Sequence, residues 1–298
     1  VTGVQTCALP ILMNEKGLSV VLGSYNRKNG LKITIDSIRK SNRSFPIEII
    51  VIDGGSTDRT LSWLSKQKDI ITIIQHNHGK WKGNSIIKRS WGYFMNLGFK
   101  IAQGKYICMI SDDCYLHTEA LQNGYDLMEK SDETVGGCAF YFRNYPEEKE
   151  YKIGITIGGN IFVNHGIYHK EALQKTGYAN EDDFNFYFAD GDLSLTMISN
   201  GYKIIPSEDS YVEHCNHLNF SQRRRNLIDT RNEMKKYIAK WENILGENKL
   251  GDWQTKNYIS VENYGKKVFK ALSIKDRMLY YIIKLYRYTK QKLQNVKT

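Results

Sequence analysis

Short apolar segments alternate with helical segments through residues 18–130, and this alternation limits the fold more than any other feature. The apolar segments are rich in Val and Ile, which is typical of strands buried on both faces. They lie at 18–24, 47–53, 70–75 and 105–111. The helical segments lie at 30–41, 56–67, 84–102 and 119–130, with Ser56 and Thr118 expected as caps. The pattern predicts an α/β fold with a doubly wound, mainly parallel sheet and helices on both faces.

The second half of the sequence is less regular. Residues 134–142 and 153–163 have the character of strands, and a short helix is expected after His169. An acidic turn at 188–193 leads into a further helix, followed by Gly201 and a strand. From about residue 219 the pattern is helical and polar. We therefore expect a second, helical part at the carboxyl end of the chain.

Carboxylates follow two of the predicted strands at the point where each strand ends. Asp53 closes the second strand and is followed by two glycines, while Asp112 and Asp113 follow the fourth strand directly. An isolated pair of acids is more often part of a turn than a metal site. Here both sites fall on the carboxyl edge of one sheet, where α/β proteins bind ligands. That placement favours a divalent cation and a phosphorylated ligand.

The positive charge is concentrated in the last part of the chain. The net charge is +10, and residues 266–298 contain ten Lys or Arg residues and a single acid, Asp276. The rest of the chain is therefore close to neutral, which argues against a nucleic-acid partner. As a helix from 266 to 297, this segment has a broad apolar face opposite a basic one, which is typical of helices that lie on an anionic membrane surface. Packing of the apolar face on the catalytic domain is the alternative.

The cysteine content and the length of the apolar segments indicate where in the cell the protein is located. Five is an odd number, and the cysteines show no paired spacing, so a reduced, cytoplasmic protein is expected, with the basic helix on the inner face of the plasma membrane. No apolar segment is long enough to span a bilayer. The opening "VTGVQTCALPI" resembles a translated sequencing adapter, so residues 1–12 are expected to be a non-native leader before Met13.

Four motifs occur together in one order along the chain. They are "YNR" (25–27), "DGGSTD" (53–58), "NLGFKIAQGKYICMISDD" (96–113) and "FADGDL" (188–193). In this order and with these gaps the sequence resembles family 2 glycosyltransferases over about residues 18–215. The resemblance implies a GT-A fold for residues 13–218, followed by a helical basic extension at 219–298. It also implies an inverting reaction and Mn²⁺ or Mg²⁺ as cofactor, and we expect a UDP-linked nucleotide-sugar donor.

The resemblance assigns roles to individual residues. The implied nucleotide-sugar-binding residues are Tyr25, Asn26, Arg27, Asp53 and Asp112, with Asp53 on the base and Asp112 near the ribose or the sugar. Asp113 and His214 are implied as metal ligands, and Asp190 as the general base that activates the acceptor hydroxyl. The sequence departs from the family pattern at three positions, because Gly54, Ser111 and Ala189 stand where the family has acids.

The predicted function is transfer of a sugar to a hydroxyl of a glycan or lipid-linked acceptor, in bacterial surface polysaccharide synthesis by analogy. A sugar nucleotidyltransferase would have the same type of sheet, but it would need a glycine-rich basic loop directly after the first strand. The segment "GSYNRKNG" has Arg27 and Lys28 with only flanking glycines. A basic nucleic-acid-binding module remains the non-enzymatic alternative, which the near-neutral body of the chain disfavours.

Overall fold

The computed structural model describes residues 17–145, 148–215 and 230–258, together with scattered positions between 266 and 289. The first half follows the predicted alternation. Its strands are β1 (Leu18–Ser24), β2 (Ile47–Asp53), β3 (Ile70–Ile74), β4 (Lys80–Trp81), β5 (Asn84–Ser85), β6 (Tyr106–Met109) and β7 (Cys114–Leu116). Its helices are α1 (Lys28–Arg39), α2 (Thr60–Leu64), α3 (Trp91–Ile101) and α4 (Ala120–Lys130).

The second half adds longer strands and a long final helix. Its strands are β8 (Val135–Asn144), β9 (Tyr151–Gly154), β10 (Gly166–His169), β11 (Lys203–His214) and β12 (Trp253–Lys256). Its helices are α5 (Lys170–Lys175), α6 (Ala189–Ser199) and α7 (Thr230–Leu245), with a 3₁₀ turn at Ile157–Gly159. Among the described helices, none combines the length and apolarity that crossing a bilayer would need.

Ten of the described strands form one sheet, in which the main path runs β12-β9-β8-β10-β6-β1-β2-β3. The contiguous strands β6, β1, β2 and β3 are parallel. Strand β10 then enters antiparallel between β6 and β8, and β11 pairs parallel with β8 and antiparallel with β7. The predicted α/β fold is confirmed, with a parallel first half and a mixed second half.

Apolar layers cover both faces of the parallel strands. On β1, Val20 and Leu22 pack against Leu31 of α1, whereas Val21 points to the other face. That second face is covered by α3, whose Phe99 is fully buried. Because the side chains on both faces of β1 are buried, its sequence does not alternate between apolar and polar residues.

Several predicted helix boundaries are wrong, and local hydrogen bonds explain the differences. Ser56 does not cap a helix, because its hydroxyl donates to Asp53 Oδ2 (2.7 Å). Helix α2 starts only at Thr60, whose amide donates to Asp58 Oδ1 (3.1 Å). Thr118 is not a cap either, since α4 begins after Glu119 without a capping side chain.

The helix expected over 84–102 is shorter than predicted. It begins at Trp91, where the Ser90 hydroxyl accepts a hydrogen bond from the Tyr93 amide (3.1 Å) and so caps the first turn. Residues 84–85 of the predicted helix instead form β5, which pairs antiparallel with β4. The strand expected over 153–163 is also wrong beyond Gly154, where the chain enters the 3₁₀ turn.

The segment expected as a separate helical extension contributes to the α/β domain. Tyr237 and Trp241 of α7 are buried against Phe184 and Leu195, and β12 extends the main sheet beside β9. Strand β12 was not predicted. Residues 216–229 and most of the predicted tail helix at 266–297 lie outside the described residues.

Candidate functional site

A cavity of about 350 Å³ opens at the carboxyl ends of β1 and β6, a volume in the range of small-molecule sites. Its walls also include residues 88–91 before α3, residues 185–187 before α6 and the end of β11. Six of the eight predicted site residues line it, namely Tyr25, Arg27, Asp112, Asp113, Asp190 and His214. The other two are not among its lining residues.

Those two residues, Asp53 and Asn26, hold the loops that form the wall. Asp53 is fully buried, and its Oδ1 accepts hydrogen bonds from the amides of Gly55 (2.9 Å) and Ser56 (2.7 Å). Asn26 Oδ1 accepts from the Thr57 amide (2.7 Å), which ties the loop after β1 to the loop after β2. The carboxylate at the end of β2 therefore shapes a tight turn, in which Gly55 adopts a φ of +86°.

Tyr25 and His78 form an aromatic pair on one wall of the cavity. Their rings are stacked with centroids 4.1 Å apart and planes inclined by 13°. A Cβ atom at Gly54 would approach Tyr25 Cδ2 to 3.2 Å. The glycine that replaces the family's second acid therefore lets the Tyr25 ring lie against the loop. A flat aromatic surface of this kind can stack on a planar ring.

Arg27 joins the two adjacent acids at the end of β6. Its Nη1 lies 2.9 Å from Asp112 Oδ1 and 2.7 Å from Asp113 Oδ2, and both carboxylates are almost completely buried. Burial raises the pKa of Asp112 to about 6, although the Arg27 charge opposes that rise. For Asp113, burial also favours the protonated form, but the charges of Arg27 and His214 outweigh it and lower the pKa. Asp113 is thus the carboxylate that stays charged most firmly.

His214 reaches the same acids from the end of β11. Its Nδ1 lies 3.0 Å from Asn144 Oδ1, and its Nε2 lies 3.3 Å from Asp113 Oδ1. When Nδ1 donates to Asn144, Nε2 of a neutral ring carries a lone pair that faces a carboxylate oxygen. A proton or a metal cation between the two atoms removes that repulsion.

The donor set fits the Mn²⁺ or Mg²⁺ that the resemblance implies. Asp112 Oδ2 and Asp113 Oδ1 are buried and make no hydrogen bond, so each offers an oxygen to a hard cation. His214 Nε2 adds a nitrogen beside them. These three residues would hold the ion, and Arg27 would have to share Asp112 and Asp113 with it.

Asp190 lies on another wall of the cavity, at the start of α6. Its Oδ2 accepts a hydrogen bond from Asn164 Nδ2 (2.8 Å), and its Oδ1 accepts from the Gly191 amide (2.9 Å). Burial raises the pKa of Asp190, while these hydrogen bonds oppose the rise. The group is oriented by two fixed donors and holds a proton more tightly than an exposed carboxylate does.

Helix α7 supports the wall that carries Asp190. The buried Glu233 carboxylate accepts hydrogen bonds from three consecutive backbone amides, those of Asn185 (2.6 Å), Phe186 (3.2 Å) and Tyr187 (3.1 Å). All three residues line the cavity. These three hydrogen bonds fix the loop that leads into the acidic motif to α7.

Asp192 completes the attachment of α6 to α7. It is buried, and its Oδ1 lies 2.7 Å from both Lys240 Nζ and Trp241 Nε1. These contacts give Asp192 a structural role at the junction of α6 and α7. Sequence reasoning missed Glu233, Asn164, Lys88 and Arg89, the last three of which line the cavity. None of them lies in a recognisable motif, so the sequence carried no signal for them.

Comparison with known proteins identifies the kind of site. A family model described as "Glycosyl transferase family 2" matches residues 19–197, which is more than half of the chain. The UDP-Glc:alpha-D-GlcNAc-diphosphoundecaprenol beta-1,3-glucosyltransferase WfaP of Escherichia coli is 29% identical over 62% of this chain and 72% of its own length. The poly(ribitol-phosphate) beta-N-acetylglucosaminyltransferase TarP of Staphylococcus aureus is 30% identical over 37% of this chain, but the match spans only 32% of TarP.

Solved structures share the fold at low sequence identity. The mannosyltransferase PcManGT from Pyrobaculum calidifontis, in complex with GDP-Man and Mn²⁺, has a TM-score of 0.56 at 17% identity, covering 78% of this chain and 65% of that one. Residues 1–349 of TarS from S. aureus have a TM-score of 0.52 at 15% identity, covering 88% and 82%. These likenesses confirm the predicted GT-A type of fold.

Proposed function

Because the chain belongs to glycosyl transferase family 2, we propose that it transfers a sugar from a UDP-linked donor to a hydroxyl of a lipid-linked or polymeric glycan, with inversion. One observation carries the proposal. Among the described residues that line the cavity, the acids are Asp112, Asp113 and Asp190. The first two are paired with Arg27, so Asp190 is the carboxylate that can take a proton from the acceptor.

The cavity divides into a donor side and an acceptor side. Tyr25 and His78 provide an aromatic surface for the base, and Lys88 and Arg89 place positive charge on the wall where a diphosphate would lie. A divalent cation held by Asp113 and His214 would neutralise the leaving diphosphate. Residues 185–187 and Asp190 form the acceptor side.

With the donor and the acceptor on opposite sides of the cavity, the sugar is transferred in a single displacement at its anomeric carbon. The acceptor hydroxyl gives its proton to a carboxylate oxygen of Asp190 as its oxygen forms a bond to the anomeric carbon. The bond from that carbon to the diphosphate oxygen breaks, and the nucleoside diphosphate leaves with the electron pair. Because attack and departure occur on opposite faces of the carbon, the configuration inverts. Asn164 and the Gly191 amide hold the Asp190 carboxylate in place during the transfer.

The relatives suggest the substrates. WfaP is named for a UDP-Glc donor and an acceptor on a diphospholipid, and TarP for a poly(ribitol-phosphate) acceptor and a β-linked product. We therefore propose a UDP-sugar donor and an acceptor used in bacterial surface polysaccharide synthesis.

The test is a donor and acceptor panel with the purified chain. UDP-glucose, UDP-N-acetylglucosamine and GDP-mannose are each offered with a synthetic N-acetylglucosaminyl diphospholipid and with ribitol-phosphate oligomers. We expect transfer from a UDP-sugar, with a β-linked product identified by its anomeric proton coupling. A product that retains the donor's α configuration, or transfer from GDP-mannose alone, would contradict the proposal.

A further inference from the structure

A sulfur and nitrogen cluster lies directly behind the acid pair. One ligand atom from each of Cys114, His165 and His214 can be chosen so that all three lie within 4.8 Å of one another. Cys114 Sγ is 3.7 Å from His165 Nε2, and the rings of His165 and His214 have centroids 5.2 Å apart. The proposed transfer reaction uses neither Cys114 nor His165.

The backbone brings these three residues together from distant parts of the chain. Cys114 begins β7 and His214 ends β11, and the antiparallel register of the two strands places them opposite each other. His165 immediately precedes β10, and its backbone oxygen accepts a hydrogen bond from the Phe140 amide of β8 (2.8 Å). The cluster is therefore fixed by the sheet rather than by a flexible loop.

The chemistry of the three donors selects a class of cation. One thiol and two imidazoles are ligands for Zn²⁺ and similar borderline cations, not for Mg²⁺. Cysteine binds such cations as the thiolate, so a bound cation would displace the thiol proton of Cys114.

The surrounding charges can accommodate such a cation. Asp112 and Asp113 both contact the partly buried Arg27, and Asp113 Oδ1 is also 3.3 Å from His214 Nε2. A divalent cation together with the Cys114 thiolate adds one positive charge, which balances the excess of negative charge on the acid pair. His214 lines the cavity, so the cluster is reached from there.

We propose that Cys114, His165 and His214 form a binding site for a thiophilic divalent cation such as Zn²⁺, with the Asp113 carboxylate completing the coordination. Its sulfur and nitrogen ligands distinguish this site from the oxygen ligands of Asp112 and Asp113. The proposal concerns cation binding alone and does not depend on the transfer reaction. The two cation sites share His214 and Asp113 as ligands, so a cation bound at one affects binding at the other.

Cobalt provides the direct test, because Co²⁺ replaces Zn²⁺ in such sites and its bond to a thiolate gives a charge-transfer absorption band in the near ultraviolet. The full chain is titrated with Co²⁺ in the absence of nucleotide. We expect a charge-transfer band at one equivalent, release of a proton on binding, and loss of the band when Zn²⁺ is added. The absence of a thiolate band in the wild-type chain would overturn the proposal.

The other cysteines supply matched controls. Cys114→Ala should abolish the band and weaken Co²⁺ binding at least about tenfold, since the loss of a partner behind a metal ligand already costs that much. Cys138→Ala removes another buried thiol of the same apolar cluster and should keep the band, as should Cys7→Ser and Cys215→Ala. A band that survives in Cys114→Ala, or one that disappears in Cys215→Ala instead, would assign the thiolate elsewhere and refute the site.

The histidines are tested independently of any cysteine variant. His165→Gln should keep the fold, checked by near-ultraviolet circular dichroism, and reduce Co²⁺ affinity at least about tenfold. His169→Gln, in β10 and outside the cluster, is the control and should leave the affinity unchanged. Equal affinities in the two variants would refute the assignment of His165.

Discussion

Burial and neighbouring charges determine the pKa values of individual carboxyl groups in the cavity. Arg27 contacts both acids of the pair, yet the two carboxyl groups respond differently, because Asp113 also lies beside His214. The result is a raised pKa for Asp112 and a lowered one for Asp113. Two neighbouring acids thereby acquire separate roles, and only Asp113 remains fully charged in mildly acidic solution.

Asp113→Ala is expected to remove metal-dependent donor binding, because a hard cation loses a charged oxygen ligand. Asp112→Ala should have the smaller effect, since burial leaves Asp112 partly protonated near pH 6. Calorimetry with UDP, with and without Mn²⁺, measures both. The exposed Asp209→Ala serves as the control. Unchanged metal dependence in the Asp113 variant would show that the cation is held elsewhere.

Asp190→Asn is expected to bind the donor normally but to transfer sugar at least about a hundredfold more slowly, the loss typical of a general base. A base must be deprotonated to act, and the pKa of Asp190 is raised by burial. Activity should therefore fall as the pH drops through a value above that of an ordinary Asp. This acidic limb should be absent from the residual activity of the Asn variant. Near-normal transfer by that variant would place the base at another residue.

At the scale of elements, helix α7 controls the acceptor side of the cavity although it lies beyond the part matched by the family model. Glu233 of α7 accepts hydrogen bonds from three amides of the loop before α6. In the other direction, Asp192 of α6 accepts hydrogen bonds from Lys240 and Trp241 of α7. The buried Glu233 carboxylate is costly to remove, because three backbone amides would lose their common acceptor. The position of Asp190 thus depends on α7.

Glu233→Ala is expected to slow transfer by about tenfold to a hundredfold through displacement of the acceptor wall, with little change in UDP affinity. Glu233→Gln keeps an accepting oxygen and should recover part of the rate. The matched control is Glu242→Ala, which removes an exposed acid from the same helix. Kinetics with varied acceptor and calorimetry with UDP separate the two effects. An equal loss of UDP affinity would mean that Glu233 supports the whole domain rather than the acceptor wall.

At the scale of the whole molecule, the basic tail carries an apolar face that the described residues leave in solvent. Ile274, Met278, Tyr281, Ile282 and Leu285 are in helical conformation and more than half exposed, and their spacing places them on one side of a helix. Exposed apolar surface next to Lys and Arg is typical of a helix that lies in a membrane interface. Tyr280 of the same segment is buried, so membrane binding and packing on the domain both stay predictions.

The full chain is therefore expected to float with anionic liposomes at low salt and to sink at high salt. Each basic residue near an anionic surface contributes about 1 kcal/mol, so even half of the ten would hold the chain there. A chain cut after Tyr264 should lose flotation while its melting temperature stays unchanged. Equal flotation by the shortened chain would locate the membrane contact elsewhere, and liposomes of neutral lipid control for apolar binding alone.

The sequence by itself determined the α/β alternation, because the strands at 18–24 and 47–53 carry apolar residues on both faces and alternate with segments of helical spacing. It also placed Asp53 with Asp112 and Asp113 at one edge, since strand ends of a parallel sheet meet there, whereas Asp190 was assigned through the family resemblance. Only the tertiary structure decided which neighbours these residues have. Hydrogen bonds between residues far apart in the chain, such as Asn185 to Glu233 or Asn26 to Ser56, leave no local pattern. For the same reason the cluster of Cys114 and His165 became visible only once β7, β10 and β11 were assembled in space.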